Sequence, residues 1–238
     1  MVGVLIGSVG VGGILLIPAL NRLAPLPIQE AMATALLTFV FTGLMASVLF
    51  HRRGSIDWRV TRPLCAGGVL FGFAGAWANA RLDPTLLTAI LALLIAAAGL
   101  YTLLSSGSAS RLPAVERPGT QPVLLFALGA VTGFGSGLTG VGGPAVSVPL
   151  MVLCGFAPLT AVGSSQVLQV IAALSGTAGN LLHVTIDWPL AGMLTGLEVL
   201  GVAGGVRLAH ALKPHVLRVI VGLLCLAVGV ALLVRLAT

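Results

Sequence analysis

Two stretches of this chain place a glycine cluster and a proline inside an apolar run: Gly7 to Pro18, "GSVGVGGILLIP", and Gly137 to Pro149, "GLTGVGGPAVSVP". Glycine lacks a Cβ and proline lacks an N–H, so regular helical hydrogen bonding is expected to lapse at both. Broken backbone at membrane depth is tolerated only against protein or a water-filled cavity. The two stretches are therefore expected to be broken helices facing one central site.

A membrane setting follows from composition. Of 238 residues, 58% are hydrophobic and 8% charged, and the mean hydropathy is +1.12, which excludes an ordinary soluble domain. A hydrocarbon core of roughly 30 Å takes about 20 apolar residues per helix, leaving room for about seven or eight crossings. Long apolar runs without alternation favour helices over a β-barrel, and the 32 glycines suit close helix packing in lipid. The twelve Lys and Arg lie in short loops between apolar runs, which reads as topology signals and not as a nucleic-acid surface. Cys65, Cys154 and Cys225 lie far apart in apolar segments and read as packing residues, with no disulfide or metal implied.

The chain divides into a first membrane unit, 1–104, a polar cytoplasmic linker, 105–122, and a second membrane unit, 123–238. The halves repeat at an offset of 130. Ile56-Asp57-Trp58 returns as Ile186-Asp187-Trp188, Gly10-Val11-Gly12-Gly13 as Gly140-Val141-Gly142-Gly143, Gly75 as Gly205 and Gly99 as Gly229. Pro18 and Pro149 miss this register by one residue, which implies a small deletion in the first motif. Val123 to Ala130 projects to positions before Met1, so either the first unit does without that opening segment or the true start lies upstream.

Charge favours inversion of the second unit. Eight plain crossings place 7 basic residues inside and 5 outside. If Val123 to Leu153 instead dips in and returns to the same side, Arg207, Lys213 and Arg218 join Arg52, Arg53, Arg59, Arg62, Arg111 and Arg117, and the count becomes 9 against 3. The expected fold is thus an all-α polytopic membrane protein. It has two inverted repeats of about four helical segments, with broken or re-entrant helices at the GxGG motifs, an architecture of many secondary transporters. Parallel duplication remains the alternative.

A helix N-terminus with unpaired N–H groups holds an oxyanion without needing a full cation. Gly10, Gly12 and Gly13 with Gly140, Gly142 and Gly143 are the candidate donors, and Pro18, Pro144 and Pro149 the candidate helix breaks. Thr34 and Ser164 occupy equivalent positions on the following helices, and with Thr38 and Gln169 they are candidate hydroxyl and amide donors. The bland alternative is that such hydroxyls bond their own preceding carbonyls. Glu198 is the one acidic residue deep in an apolar run. It should be protonated, paired or facing water, which makes it a candidate for proton coupling, with a pair to Arg207 as the structural alternative. Asp57 and Asp187 read as helix caps beside interfacial Trp58 and Trp188.

The GxGG motif followed by proline, the second segment "AMATALLTFVFTGL" (Ala31 to Leu44), the loop "IDW" and the return of this set resemble the sulfite exporter TauE/SafE family, also called the toluene sulfonate uptake permeases. The resemblance covers essentially the whole chain. It implies a multi-pass carrier of the bacterial inner membrane for sulfite, sulfonates or related organosulfur anions, with H+ or Na+ as a candidate coupled ion, a homo-oligomer left open and no cofactor. The short N-terminus and compressed first motif depart from the family pattern. A passive anion channel or a structural membrane subunit is the alternative. An intramembrane enzyme is disfavoured: Phe134-Gly135-Ser136-Gly137 lacks the leading glycine of GxSG, no histidine lies deep in a span, and there is no HExxH.

Overall fold

A computed structural model of the chain describes residues 2–10, 28–79, 120–140, 142–181 and 186–237, with single positions between 16 and 20 and between 85 and 104. The described residues form eight helices: α1 (Val2–Val9), α2 (Ile28–Arg52), α3 (Trp58–Asn79), α4 (Gln121–Thr139), α5 (Pro144–Leu153), α6 (Pro158–Asn180), α7 (Trp188–Ala211) and α8 (Pro214–Ala237). Five of them, α2, α4, α6, α7 and α8, are long and apolar enough to cross a bilayer. Proline sits in the first turn of α4, α5, α6 and α7, where its missing N–H costs no helical bond. Asp187 caps α7 by accepting from Leu190 N at 3.0 Å, and Asp57 accepts from Arg59 N at 2.9 Å in front of α3. Both IDW loops thus begin helices, as the sequence suggests.

The 130-residue repeat is visible in the helix starts, Ile28 with Pro158 and Trp58 with Trp188, and in the shared ends at Val9 and Thr139. It also governs how helices pair. On α1, Gly3 lies on the backbone of Glu198 and Gly7 on that of Val202; on α4, Gly133 lies on the backbone of Gly68 and Gly137 on that of Gly72. In return Gly205 of α7 lies against the Val4 carbonyl, and Gly75 of α3 against the Phe134 carbonyl. Each second contact is the first with the halves exchanged, so α1 of one half packs in parallel on α7 of the other, and α4 packs in parallel on α3. Lipid tails supply no hydrophobic force between helices, so backbone approach of this kind is what holds such pairs.

The equivalent helices α2 and α6 cross each other in opposite directions. Leu36 touches Gly176, Gly43 touches Gln169 and Val170, and Phe50 touches Gly163. At the crossing, Gln169 Nε2 donates to the carbonyl of Phe39, its own repeat equivalent, at 3.2 Å. Ser164 beside Thr61 and Gly179 beside Ala76 show that α6 runs parallel to α3, and hence to α4. Helix α5, by contrast, runs back along α6, with Gly143 beside Leu168 and Gln169 and Ser147 Oγ 2.6 Å from Ser165 Oγ. The chain therefore reverses direction between α4 and α5.

The basic ends of both halves meet. Arg53 Nη1 donates to Val206 O at 3.2 Å, and Ser55 Oγ lies 2.8 Å from His210 Nε2. His210 Nδ1 lies 2.8 Å from Val206 O; a carbonyl only accepts, so Nδ1 carries a proton. The loop after α2 and the end of α7 thus share one end of the bundle, hereafter the Ser55 end.

Gly129→Val places a branched side chain against the Leu64 carbonyl, where α4 and α3 backbones touch. Overpacking there should destabilise the protein by about 1–3 kcal/mol. Gly192→Val, with nothing within 4 Å of the added carbon, should leave the melting temperature in detergent unchanged; equal melting of the two variants would contradict the packing.

Candidate functional site

The second motif is built as a gap between two helices. Gly140 ends α4 in the left-handed conformation at φ 67, its N–H bonded to Ser136 O at 2.9 Å. Gly142 also has positive φ, at 92, a backbone that a side chain strains. The Gly143 carbonyl receives Val146 N at 3.2 Å and Ser147 N at 3.0 Å, so α5 starts at Pro144. Among the described residues, the amides of Gly142 and Gly143 take no backbone acceptor. They belong to the positive end of α5.

The first motif comes to meet this gap. Gly10 ends α1 with φ 81, as its equivalent Gly140 ends α4. A Cβ on Gly10 would strike the Pro144 ring and come within 3.5 Å of Gln166 Nε2. Gln166 Nε2 donates to Ile6 O at 2.9 Å, tying α6 to the end of α1. Its Oε1 is buried without a hydrogen-bond partner among the described residues. Gly142 faces the Phe39 ring, 3.4 Å from where a Cβ would lie, and Gly143 backs onto Leu168 and Gln169.

Gly10, Gly140, Gly142, Gly143, Pro144 and Gln169 therefore gather at the α2–α6 crossing. Gly12, Gly13 and Pro18 lie outside the described residues. Pro149, expected as a helix break, lies inside α5 instead. Its missing N–H removes one rung, and the helix continues to Leu153 because the interruption is already made at Gly140 to Gly143. Ser164 sits toward the Ser55 end, its Oγ 2.9 Å from Thr61 Oγ1. Thr34 is fully buried with no partner for its hydroxyl among the described residues, while Thr38 donates to Ala35 O at 2.9 Å, the local bond that competes with ligand binding. Glu198 is 4% exposed on α7; Arg207 is exposed, and neither Glu198 oxygen has a hydrogen-bond partner among the described residues.

Two contributors are absent from the set of candidates read from sequence. Phe39 covers Gly142, and Ser147 bonds the Gly143 carbonyl at 3.0 Å while touching Ser165. Phe39 carried no usable signal, since one aromatic ring in an apolar run resembles any other.

Both Nε2 hydrogens of Gln169 are given within the protein, to Phe39 O at 3.2 Å and Thr42 Oγ1 at 3.3 Å, so the donors left in the gathered set are chiefly the glycine amides. That suits a small oxyanion. Gly10, Gly140, Gly142, Gly143 and Pro144 are all buried. A cavity of about 500 Å³ lies at the Ser55 end beside Asp57, Arg59 and Thr160, and one of about 240 Å³ lies on the outer face of α2 and α7 beside Phe41 and Trp188; no motif residue lines either. Among the described residues, no three metal-ligating side chains come together.

The family model described as sulfite exporter TauE/SafE matches residues 1–232. A probable membrane transporter protein of Xylella fastidiosa (strain 9a5c) is 25% identical over 240 residues, covering 99% of this chain and 92% of the relative. The probable membrane transporter protein y4hK of Sinorhizobium fredii is 27% identical over 235 residues, covering 96% and 91%. One of Haemophilus influenzae is 27% identical over 184 residues, covering 74% and 68%. No solved structure matches the chain.

Gln166→Leu removes the donor to Ile6 O and should cost about 0.5–1.5 kcal/mol, a typical net hydrogen bond. The expected readout is a lower melting temperature in detergent, and an unchanged one would show that this bond does not hold the two motifs together.

Proposed function

Because the chain belongs to the sulfite exporter TauE/SafE family, a membrane transporter of the bacterial inner membrane, we propose that it is a secondary carrier of a small anion, sulfite or an organosulfonate. The relatives are likewise named probable membrane transporter proteins, names that imply transport and not enzymatic chemistry. The observation that carries the substrate class is the meeting of Gly10 with Pro144 and Gln166, which sets two left-handed glycine ends, Gly10 and Gly140, around amides with no backbone acceptor among the described residues.

In this reading the anion is held by the amides of Gly142 and Gly143 and by their counterparts at Gly12 and Gly13, while Gln169, whose Nε2 hydrogens go to Phe39 O and Thr42 Oγ1, braces the helix crossing behind them. Desolvation raises the strength of each such bond. Thr34, Thr38 and Ser164 contribute hydroxyls along the route to and from that centre.

Access alternates because the two units, 1–104 and 123–238 about the linker 105–122, are inverted. The opposite directions of α2 and α6 support inversion, as does the gathering of Arg53 and the end of α7 at one end of the bundle. Since basic loops remain in the cytoplasm, the Ser55 end faces inward and Val123 to Leu153 enters from that side and returns to it. Exchange of contacts between equivalent helix pairs then closes one side as it opens the other.

Counterflow in proteoliposomes with labelled sulfite, thiosulfate, taurine, sulfoacetate and chloride tests this. A carrier gives uptake stimulated by substrate on the far side, whereas flux indifferent to it indicates a passive channel. Gly142→Val places a branched side chain at φ 92 and against Phe39, and should abolish flux while the protein inserts normally. Wild-type flux from correctly folded Gly142→Val protein would refute the motif as the site.

A further inference from the structure

We propose that Glu198 is the site where the coupled proton is bound and released, an inference that rests on the transport reading and adds the coupled ion to it. Glu198 is 4% exposed, and neither of its buried carboxyl oxygens has a hydrogen-bond partner among the described residues. An unpaired carboxylate at membrane depth is costly, and intramembrane acids of this kind mark ion and proton pathways.

Thr38 of α2 lies beside Glu198, and its hydroxyl hydrogen is given to Ala35 O at 2.9 Å. Charges on the packed elements are few. Helix α1 carries none in Val2–Val9, with the chain's α-amino group at its head. Helix α2 has Glu30 in its first turn and His51 and Arg52 in its last, while Thr38 is midway. On α7 itself Arg207 is exposed and His210 is engaged with Ser55.

Position links this proton to the anion site. Gly3 of α1 rests on the backbone of Glu198, and α1 runs directly to Gly10 at the motif junction. On α2, the residue after Thr38 is Phe39, whose ring faces Gly142 and whose carbonyl takes the Gln169 amide. Ionisation of Glu198 needs water, and water reaches it only when α1 or α2 parts from α7. That same movement displaces both walls of the motif site. The exchange itself is simple: the carboxylate takes H+ from water on one side, forming one O–H bond, and returns it on the other.

The test compares wild type, Glu198→Gln and Glu198→Asp. Infrared spectra of each in nanodiscs at neutral pH should contain a protonated-carboxyl band in wild type that is absent in Glu198→Gln and displaced in Glu198→Asp. In proteoliposomes with sulfoacetate as probe, Glu198→Gln should retain counterflow but lose accumulation driven by a pH gradient by about tenfold or more, a typical coupling effect. Glu198→Asp should recover part of it with a displaced pH profile. A wild-type spectrum without the band, or gradient-driven accumulation unchanged in Glu198→Gln, overturns the proposal. If wild type shows no counterflow with any probe, the transport reading fails, and the infrared arm alone decides whether Glu198 holds a proton.

Discussion

An interrupted backbone in hydrocarbon has to be enclosed by protein, because amides released from helical bonding have no water to turn to. The interruption at Gly140 to Gly143 governs the arrangement around it. Phe39, Leu168, Gln169 and, from the first motif, Gly10 close over it. The enclosure depends on helices lying close enough to leave no lipid between them. That closeness comes from glycines meeting carbonyls across the α1–α7 and α3–α4 pairs. Lipid offers no hydrophobic drive for such pairing, so the van der Waals contact of bare backbone supplies it.

These pairs also interlock the two halves. Helix α1 belongs to the first repeat and packs on α7 of the second, while α4 of the second packs on α3 of the first. Neither half can move as a closed unit with its own core. A displacement of α1 relative to α7 touches Glu198, Gly10 and Gly142 through contacts only one residue or one helix apart. In the proposed carrier, binding of an anion and binding of a proton are two ways of biasing one movement, which is the condition for coupling.

Much of the fold was legible in the sequence because the repeat is written in residues with strong backbone meaning. The offset of 130 located both IDW caps, the shared helix ends at Gly10 and Gly140, and the chain break near Pro144. The basic residues pointed to inversion of the second unit, and the bond from Arg53 to Val206 O sets the loop after α2 beside the end of α7. Partner choice was not legible: the repeat says which helices are alike, and not that α1 of one half seeks α7 of the other. Pro149 misled for a local reason, since one missing rung does not end a ten-residue helix already begun at Pro144. Of the side chains, Gln169 was placed at the centre, whereas Ser164 turned to Thr61 near the Ser55 end. Hydroxyl direction is set by the nearest acceptor, which a sequence does not record.

The central claim is that the paired motif amides hold an anion. Protein labelled with 15N at glycine, in nanodiscs, and titrated with sulfite or sulfoacetate tests it most directly. The account predicts saturable shifts of the Gly142 and Gly143 amide resonances, lost in Gln169→Leu, while Gly54 at the exposed loop stays fixed. Motif glycines that remain still through saturation, with shifts confined to loop residues, would contradict it.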